Sequence, residues 1–268
     1  MKHLMLAAVV ALGLIGGAAH ADDALKAAIA SSQRTPANVQ RDAARHPYET
    51  LTFFGIQPTM TVVELSPGGG WYTEILAPYL RDHGKYIAGS YSPDSPKDNL
   101  RRYANNFRAK LAANPQLFDK VEVAVFEPPQ HLNYAKPESA DMVLTFRNIH
   151  NWIPDGEANM NKLFKSAYDS LKKGGVLGVV EHRLPADKPQ DASASTGYMH
   201  ESYVIGLAEK AGFKLAAKSE INANPKDTAD HPNGVWALPP TYRNKDQDRA
   251  KYQAIGESDR MTLKFVKP

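Results

Sequence analysis

The chain contains no cysteine among its 268 residues, so it can form no disulfide, no thiolate nucleophile and no thiolate metal site. It also lacks a strong charge imbalance. The formal net charge is +3, and lysine and arginine are scattered along the sequence, which gives no indication of a nucleic-acid partner. Internal repeats and low-complexity tracts are absent as well. The length suffices for one large domain with a well-buried core.

Residues 1–21 have the composition of a secretory signal peptide. Lys2 supplies a positive start, an apolar stretch runs from Leu4 to Ile15, and Ala19-His20-Ala21 is a small-x-small cleavage site. Because a transmembrane helix needs roughly 20 apolar residues, this stretch is short for a membrane span; an uncleaved N-terminal anchor is the alternative. The sequence therefore predicts an exported, periplasmic protein that begins at Asp22 and has no membrane contact after cleavage.

Strand-like and helix-like segments alternate along most of the remaining chain, after a helical segment at 22–54. The predicted strands are Val62–Leu65, Tyr86–Ser90, Val121–Phe126, Asp141–Phe146, Val176–Val180, Phe213–Ile221 and Met261–Val266. This alternation predicts an α/β domain over 22–268, with a seven-stranded, mostly parallel sheet and helices on both faces. The last two strands have no core helix between them, which predicts an antiparallel edge strand.

A long polar passage, 222–259, separates the last two predicted strands. Long connections inside a compact domain are usually functional or disordered. This one contains apolar side chains that can pack, among them Val235, Trp236 and Leu238. The passage is therefore predicted to form an ordered cover beside the ligand cleft.

The stretch Glu64-Leu-Ser-Pro-Gly-Gly-Gly-Trp-Tyr-Thr73 joins the first predicted strand to a helix through three consecutive glycines. Glycine has no Cβ, so its backbone can take positive φ or lie directly against a ligand. A phosphate-binding P-loop would end in Gly-Lys-Ser/Thr, whereas Gly70 is followed by Trp71, and a dinucleotide fingerprint would need glycine in place of Thr73. The turn is predicted to hold another small ligand or, alternatively, only to close a strand–helix unit.

This stretch resembles the first motif of class I S-adenosylmethionine (SAM)-dependent methyltransferases. Leu171-Lys-Lys-Gly-Gly-Val-Leu177 and Ala208-Glu-Lys-Ala-Gly-Phe213 are similar to two later motifs of that family. The segments SPGGGWYTE and ESDRMTLKFVKP resemble those of an exported subgroup. The resemblance implies a Rossmann-like methyltransferase fold, SAM as cofactor, and methyl transfer to a nucleophile, most simply a small molecule. It assigns to the cofactor Glu64, Ser66, Pro67, Gly68, Gly69, Gly70, Ser90, Tyr91, Glu127 and Arg147.

One of these positions departs from the family pattern. The family usually carries an acid at the end of the second strand, where it holds the ribose hydroxyls of SAM, and this chain has Ser90 there. A serine hydroxyl can also hydrogen-bond a ribose, but without the stronger charge-assisted bond of a carboxylate. The cofactor is therefore expected to bind less tightly than in a site with the acid.

Polar side chains follow the fourth and fifth predicted strands, at the sheet edge where ligands of open α/β proteins bind. Asn148, His150 and His182 are the candidate catalytic residues. Either histidine could accept the proton that the nucleophile loses during methyl transfer.

Two functions of other classes are alternatives. SAM is made in the cytosol and is charged, so an exported chain with this fold could be a non-catalytic ligand-binding protein. A metal-assisted hydrolase using His150, His182 and His200 is the other, although no metal site is predicted because ligand spacing such as His-Glu-x-x-His is absent. The sequence indicates neither the methyl acceptor nor the oligomeric state.

Overall fold

The computed structural model describes residues 13–268, and a seven-stranded sheet forms its centre. The strands are β1 (Thr61–Leu65), β2 (Lys85–Ser90), β3 (Glu122–Val125), β4 (Ala140–Phe146), β5 (Leu171–His182), β6 (Lys214–Ser219) and β7 (Arg260–Val266). Their order across the sheet is β3-β2-β1-β4-β5-β7-β6. Strands β1 to β5 pair in parallel, and β7 is antiparallel to both β5 and β6. The predicted fold class is confirmed, with the antiparallel strand one place in from the edge that β6 forms.

Eleven helices surround the sheet within residues 13–268. They are α1 (Gly13–Ile29), α2 (Pro36–Val39), α3 (Asp42–Arg45), α4 (Pro47–Phe54), α5 (Thr73–Leu80), α6 (Asp98–Ala113), α7 (Pro115–Phe118), α8 (Ile149–Trp152), α9 (Glu157–Ser170), α10 (Glu201–Lys210) and α11 (Arg249–Ile255). Short 3₁₀ turns occupy Ile153–Asp155 and Gly234–Ala237. None of these helices has both the length and the apolar composition needed to cross a membrane.

Two apolar layers hold the helices against opposite faces of the sheet. Successive side chains of a strand point to opposite faces of the sheet, so in β1 Val63 belongs to one layer and Val62 to the other. Side chains of α8, α9 and α10 fill the first layer, whereas α1, α4, α5, α6 and α7 contribute to the second. A parallel sheet that is covered on both faces favours strands that are mainly apolar, and β4 is apolar apart from Asp141 and Thr145.

The predicted signal peptide lies outside the described residues as far as position 12. Its remainder, from Gly13 to Ala21, forms the first part of α1. Beyond the predicted cleavage site, Leu25 and Ala28 are buried, and Asp22 pairs with Lys26 at 2.5 Å. The predicted helical segment at 22–54 therefore comprises the rest of α1 together with α2, α3 and α4.

Candidate active site

The glycine turn at the end of β1 follows a backbone path that several residues with positive φ make possible. Ser66 has φ 53°, Gly68 has φ 58° and Gly70 has φ 76°, all in the left-handed region that favours glycine. A Cβ added at Gly68 would meet no atom within 4 Å, so the backbone there borders open space. The Ser66 hydroxyl is buried near the Tyr91 hydroxyl, but no group within residues 13–268 meets it with good hydrogen-bond geometry. A buried hydroxyl of this kind is available to a ligand.

A cleft of about 620 Å³ lies beside this turn, at the carboxyl ends of β1, β2, β4 and β5. This volume is within the usual range for sites of small molecules. The predicted site residues that line the cleft are Ser66, Gly68, Tyr91, Arg147, Asn148, His150 and His182. The predicted site residues outside its lining are Glu64, Pro67, Gly69, Gly70, Ser90 and Glu127.

Glu64 is buried in the interior instead of facing the cleft. Its carboxylate accepts hydrogen bonds from the hydroxyls of Tyr86, at 2.5 Å, and Thr73, at 3.5 Å. Burial raises the pKa of Glu64 to about 7, although the hydrogen bond from Tyr86 acts in the opposite direction. In this structure the Glu64 side chain therefore joins β1 to β2 and to the start of α5.

Two other predicted cofactor contacts, Ser90 and Glu127, are also buried within the protein. Ser90 is buried at the end of β2, where its carbonyl accepts a hydrogen bond from the backbone N–H of Phe126 at 2.7 Å. Glu127 accepts one bond from the Ser92 backbone N–H at 3.1 Å and another from the Ser95 hydroxyl at 2.7 Å. Both carboxylate oxygens of Glu127 thus secure the loop that follows β2.

Asn148 connects the end of β4 to the glycine turn. Its side-chain amide donates to the carbonyls of Leu65, at 3.0 Å, and Ser66, at 3.1 Å. These two bonds fix the turn beside the neighbouring strand. Asn148 therefore positions the residues on which a ligand would rest.

Glu181 and His150 form a buried pair at the ends of β5 and β4. Glu181 is fully buried and accepts hydrogen bonds from the backbone N–H groups of Ile149, at 2.6 Å, and His182, at 2.9 Å. The Nδ1 atom of His150 lies 2.9 Å from Glu181 Oε1. A carboxylate accepts hydrogen bonds, so Nδ1 carries the proton and Nε2 is left as the proton acceptor. The sequence placed Glu181 at this sheet edge but did not assign it a role.

His182 lies next to His150, with 5.2 Å between the ring centroids. Burial lowers the pKa of His182 well below its ordinary value, and the positive charges of Arg147 and Arg260 lower it further. Its Nδ1 lies 2.6 Å from the Ser258 hydroxyl oxygen. At neutral pH the ring is therefore uncharged and is a weak base.

His200 stands apart from these two histidines and does not line the cleft. Its Nε2 lies 2.8 Å from the carbonyl oxygen of Lys188. The three-histidine arrangement considered for a hydrolase is therefore wrong. Donor atoms of His150, Glu181 and His182 do lie within 4.8 Å of one another. The Glu181 oxygens already accept from N–H groups, and several arginines are close by, so this geometry favours proton transfer over cation binding.

We define an arginine cluster as Arg41, Arg45, Arg147 and Arg260 around Glu257. All of these residues except Arg260 line one wall of the cleft. Glu257 accepts from Arg41 at 2.6 Å, Arg45 at 3.2 Å and Arg260 at 3.0 Å, and Arg147 Nη1 is 3.8 Å from it. Burial alone would raise the pKa of Glu257, but the surrounding guanidinium groups outweigh it and lower the value to about 2. Burial lowers the pKa of Arg147 to about 10.

The sequence does not predict most of this wall. Arg41 and Arg45 belong to the predicted helical segment at 22–54, and Glu257 belongs to the predicted cover at 222–259. They are distant in sequence from the strand ends where ligand contacts are expected. The cover passage itself borders the cleft through Val235, Trp236, Pro239, Pro240, Thr241, Glu257 and Ser258. Tyr103, Lys97 and Asp155 are among the other residues of the lining.

Comparison with solved structures identifies the fold of the described residues as that of class I methyltransferases. A SAM-dependent methyltransferase from Aquifex aeolicus aligns over 92% of this chain and 98% of its own, with 15% identity and a TM-score of 0.57. The [4+2]-cyclase SpnF aligns over 95% and 96%, with 14% identity and a TM-score of 0.60. The glycopeptide N-methyltransferase MtfA aligns over 87% and 100%, with 16% identity and a TM-score of 0.52. No protein-family model and no curated protein sequence matches the chain.

The identities of 14–16% make these proteins similar in fold and leave the reaction of this chain to be argued from its own site. The SpnF structure illustrates the point, since it is described as a cyclase. The cleft residues must therefore carry the functional argument.

Proposed function

We propose that the protein is a SAM-dependent methyltransferase that acts on a small molecule after export. The observation that carries this proposal is the meeting, in one cleft, of the glycine turn after β1 and the Glu181–His150 pair. The neighbouring structures described as SAM-dependent enzymes support it. SAM, when bound, supplies a methyl group on a positively charged sulfur.

The residues beside the turn fit such a cofactor. The open space at Gly68 admits a ligand against the backbone, and the unpartnered Ser66 hydroxyl offers it a hydrogen bond. Tyr91, directly after β2, provides an aromatic surface in the same cleft. Asn148 fixes the turn through its hydrogen bonds to the carbonyls of Leu65 and Ser66.

His150 is the proton acceptor in this proposal. Its hydrogen bond to Glu181 fixes the ring orientation and, in the neutral ring, makes Nε2 the nitrogen that accepts a proton, as a general base requires. The lowered pKa of His182 makes that ring a weak base, so the proton is assigned to His150. The Trp236 ring, from the cover passage, lies with its centroid 6.0 Å from that of the His150 ring. Positioning of the nucleophile then supplies much of the rate.

Gly68→Val tests the cofactor site. A branched side chain would enter the ligand space, so we expect S-adenosylhomocysteine to bind at least tenfold more weakly, as measured by calorimetry. Gly174→Val is the matched control, because Gly174 also has positive φ (79°) and open space around its Cβ but lies outside the cleft lining. Both variants carry similar backbone strain, of about 1 kcal/mol or more. Equal affinities in the two folded variants would contradict the assignment.

An exported, non-catalytic binding protein is the second candidate. The observation that favours it is that Glu64 and Ser90, two positions the family uses for its cofactor, lie outside the cleft lining. Failure of both SAM and S-adenosylhomocysteine to bind the wild-type protein would favour this candidate. Binding of both, with loss at Gly68→Val only, would favour the enzyme.

A further inference from the structure

Within residues 13–268, Glu257 is the one carboxylate that pairs with the arginine cluster, and it does not balance the charge of the cluster. Four guanidinium groups surround the single carboxylate of Glu257. The neighbouring His182 is held neutral, so it neither adds to this positive charge nor offsets it. Buried charges are usually paired, and an uncompensated one is costly. An anion bound in the cleft would therefore neutralise part of this excess positive charge.

Hydrogen-bond donors of the cluster are also unused. Arg45 is 4% exposed, and its Nη1 has no hydrogen-bond partner among residues 13–268, although the residue lines the cleft. The Arg147 guanidinium, which lies in the same lining, makes only the 3.8 Å ion pair with Glu257 among those residues. A guanidinium matches the paired oxygens of a carboxylate or phosphate in geometry as well as in charge. The unused donors and the excess charge independently indicate an anionic ligand.

The cluster adjoins the proposed base. Ser258 follows Glu257 in the chain and lies 2.6 Å from His182, whose ring is 5.2 Å from that of His150. A small molecule that rests an anionic group on the arginines would therefore place its next atoms near His150. SAM is a net cation, because its sulfonium and ammonium groups outnumber its carboxylate, so its binding would leave the net positive charge of the cleft in place even where its carboxylate contacts an arginine.

We infer that the methyl acceptor is a small organic acid, whose carboxylate or phosphate group binds Arg41, Arg45 and Arg147 while its nucleophilic atom faces His150. The role of this acid as methyl acceptor rests on the proposed methyltransferase function. The anion site itself does not depend on that function. The carboxylate of the cofactor's own amino-acid tail is the alternative anionic group that could bind these arginines. The two possibilities differ in whether an anion and the cofactor bind together.

Calorimetry with inorganic phosphate, at constant ionic strength, tests the site in the purified protein saturated with S-adenosylhomocysteine. We expect phosphate to bind, and to bind at least tenfold more weakly to Arg147→Gln and Arg41→Gln, since each variant removes a charged donor. Arg102→Gln is the control, because Arg102 is exposed on α6 and lies outside the cleft lining. Thermal unfolding confirms that each variant is folded, and the partly exposed Arg41 provides a second variant should Arg147→Gln fail to fold.

Binding of S-adenosylhomocysteine and of 5′-methylthioadenosine to Arg147→Gln distinguishes the two possible anionic groups. 5′-Methylthioadenosine lacks the amino-acid tail that S-adenosylhomocysteine carries. Loss of affinity in Arg147→Gln for S-adenosylhomocysteine but not for 5′-methylthioadenosine would assign the arginines to the cofactor tail and overturn the inference. Displacement of phosphate by S-adenosylhomocysteine, or no phosphate binding to the wild type, would also overturn it. Phosphate binding with the predicted arginine dependence, but no binding of S-adenosylhomocysteine, would retain the anion site and refute the methyltransferase proposal.

Discussion

Glu64 shows that the acid of a recognisable motif can be enclosed in the interior of the protein. Its carboxylate is 2% exposed and is held by Tyr86 and Thr73 behind the glycine turn. Because burial raises its pKa to about 7, the group exchanges a proton with solvent near neutral pH. The consequence is a pH-dependent contribution to stability that belongs to this residue alone.

Glu64→Gln is expected to remove this pH dependence. In the unfolded chain the carboxyl group has its ordinary pKa of 4.5, so between pH 4.5 and about 7 the folded protein retains a proton that the unfolded chain has lost. The free energy of unfolding of the wild type therefore falls as pH rises through this window, by about 3 kcal/mol in total, and Glu64 causes no further change above it. The glutamine side chain of the variant has no proton to lose, so the variant shows no such fall.

Urea unfolding at pH 5, 6, 7 and 8 measures the effect as the difference between wild type and Glu64→Gln. Glu122→Gln serves as a control for a carboxylate on the surface, since Glu122 is exposed and pairs with Lys85. Parallel pH profiles of the wild type and Glu64→Gln would contradict the assigned shift.

At the scale of the elements, β5 depends on a close approach between the sheet and α4. Gly178 lies in the middle of β5, and a Cβ added there would come within 2.6 Å of Leu144 Cδ2 and 2.9 Å of the Phe54 ring. Both neighbours are fully buried. This glycine allows α4 to pack directly on the strand that ends at Glu181 and His182, and so contributes to the geometry of the site.

Gly178→Ala is therefore expected to destabilise the protein by about 1–3 kcal/mol, because the extra methyl group overfills a closely packed core. Gly206→Ala makes the same chemical change in α10, where nothing lies within 4 Å of the added Cβ. Alanine is the better helix former by about 1 kcal/mol, so this variant is expected to gain stability. Urea midpoints of the two variants measured side by side should move in opposite directions, and a shift in the same direction would refute the packing argument.

For the molecule as a whole, the cover passage is joined to the sheet by a buried polar network. Asp227 accepts hydrogen bonds from the Tyr198 hydroxyl at 3.0 Å, the backbone N–H of Asp259 at 2.8 Å and, by geometry, Nε2 of His231 at 2.8 Å. The Asn222 amide donates to the hydroxyls of Thr50 and Thr262, both at 3.0 Å. Segments far apart in sequence thus meet beside the cleft.

Asp227→Ala is expected to loosen the cover. Its buried partners would lose their acceptor, at a cost on the order of 2–3 kcal/mol, and local opening would become more frequent. We expect limited proteolysis to cut within 222–259 at least tenfold faster than in the wild type. Asp230→Ala is the matched control, since this neighbouring carboxylate has a side chain that is 65% exposed. Equal cleavage rates in the two variants would show that the network does not hold the cover.

The sequence alone determined the order and type of the strands and the class of the fold. These depend on local information: apolar runs of strand length, helical periodicity, and glycine or proline at the boundaries. The same local signals located the glycine turn and the polar residues after β4 and β5, of which Ser66, Gly68, Asn148, His150 and His182 do line the cleft. Parallel strands bring their carboxyl ends to one edge, so this part of the site follows from the topology.

Only the tertiary structure decided which of the motif residues face a ligand and which are enclosed. Glu64 and Glu127 are carboxylates of similar appearance in the sequence, yet both are occupied by hydroxyl or N–H donors inside the protein. The arginine cluster is a still clearer case, because Arg41 and Glu257 are separated by more than two hundred residues and are in contact at 2.6 Å. Charge pairing across such a separation leaves no periodic pattern in the sequence, since it depends on where the packing of α3 and the cover places each side chain.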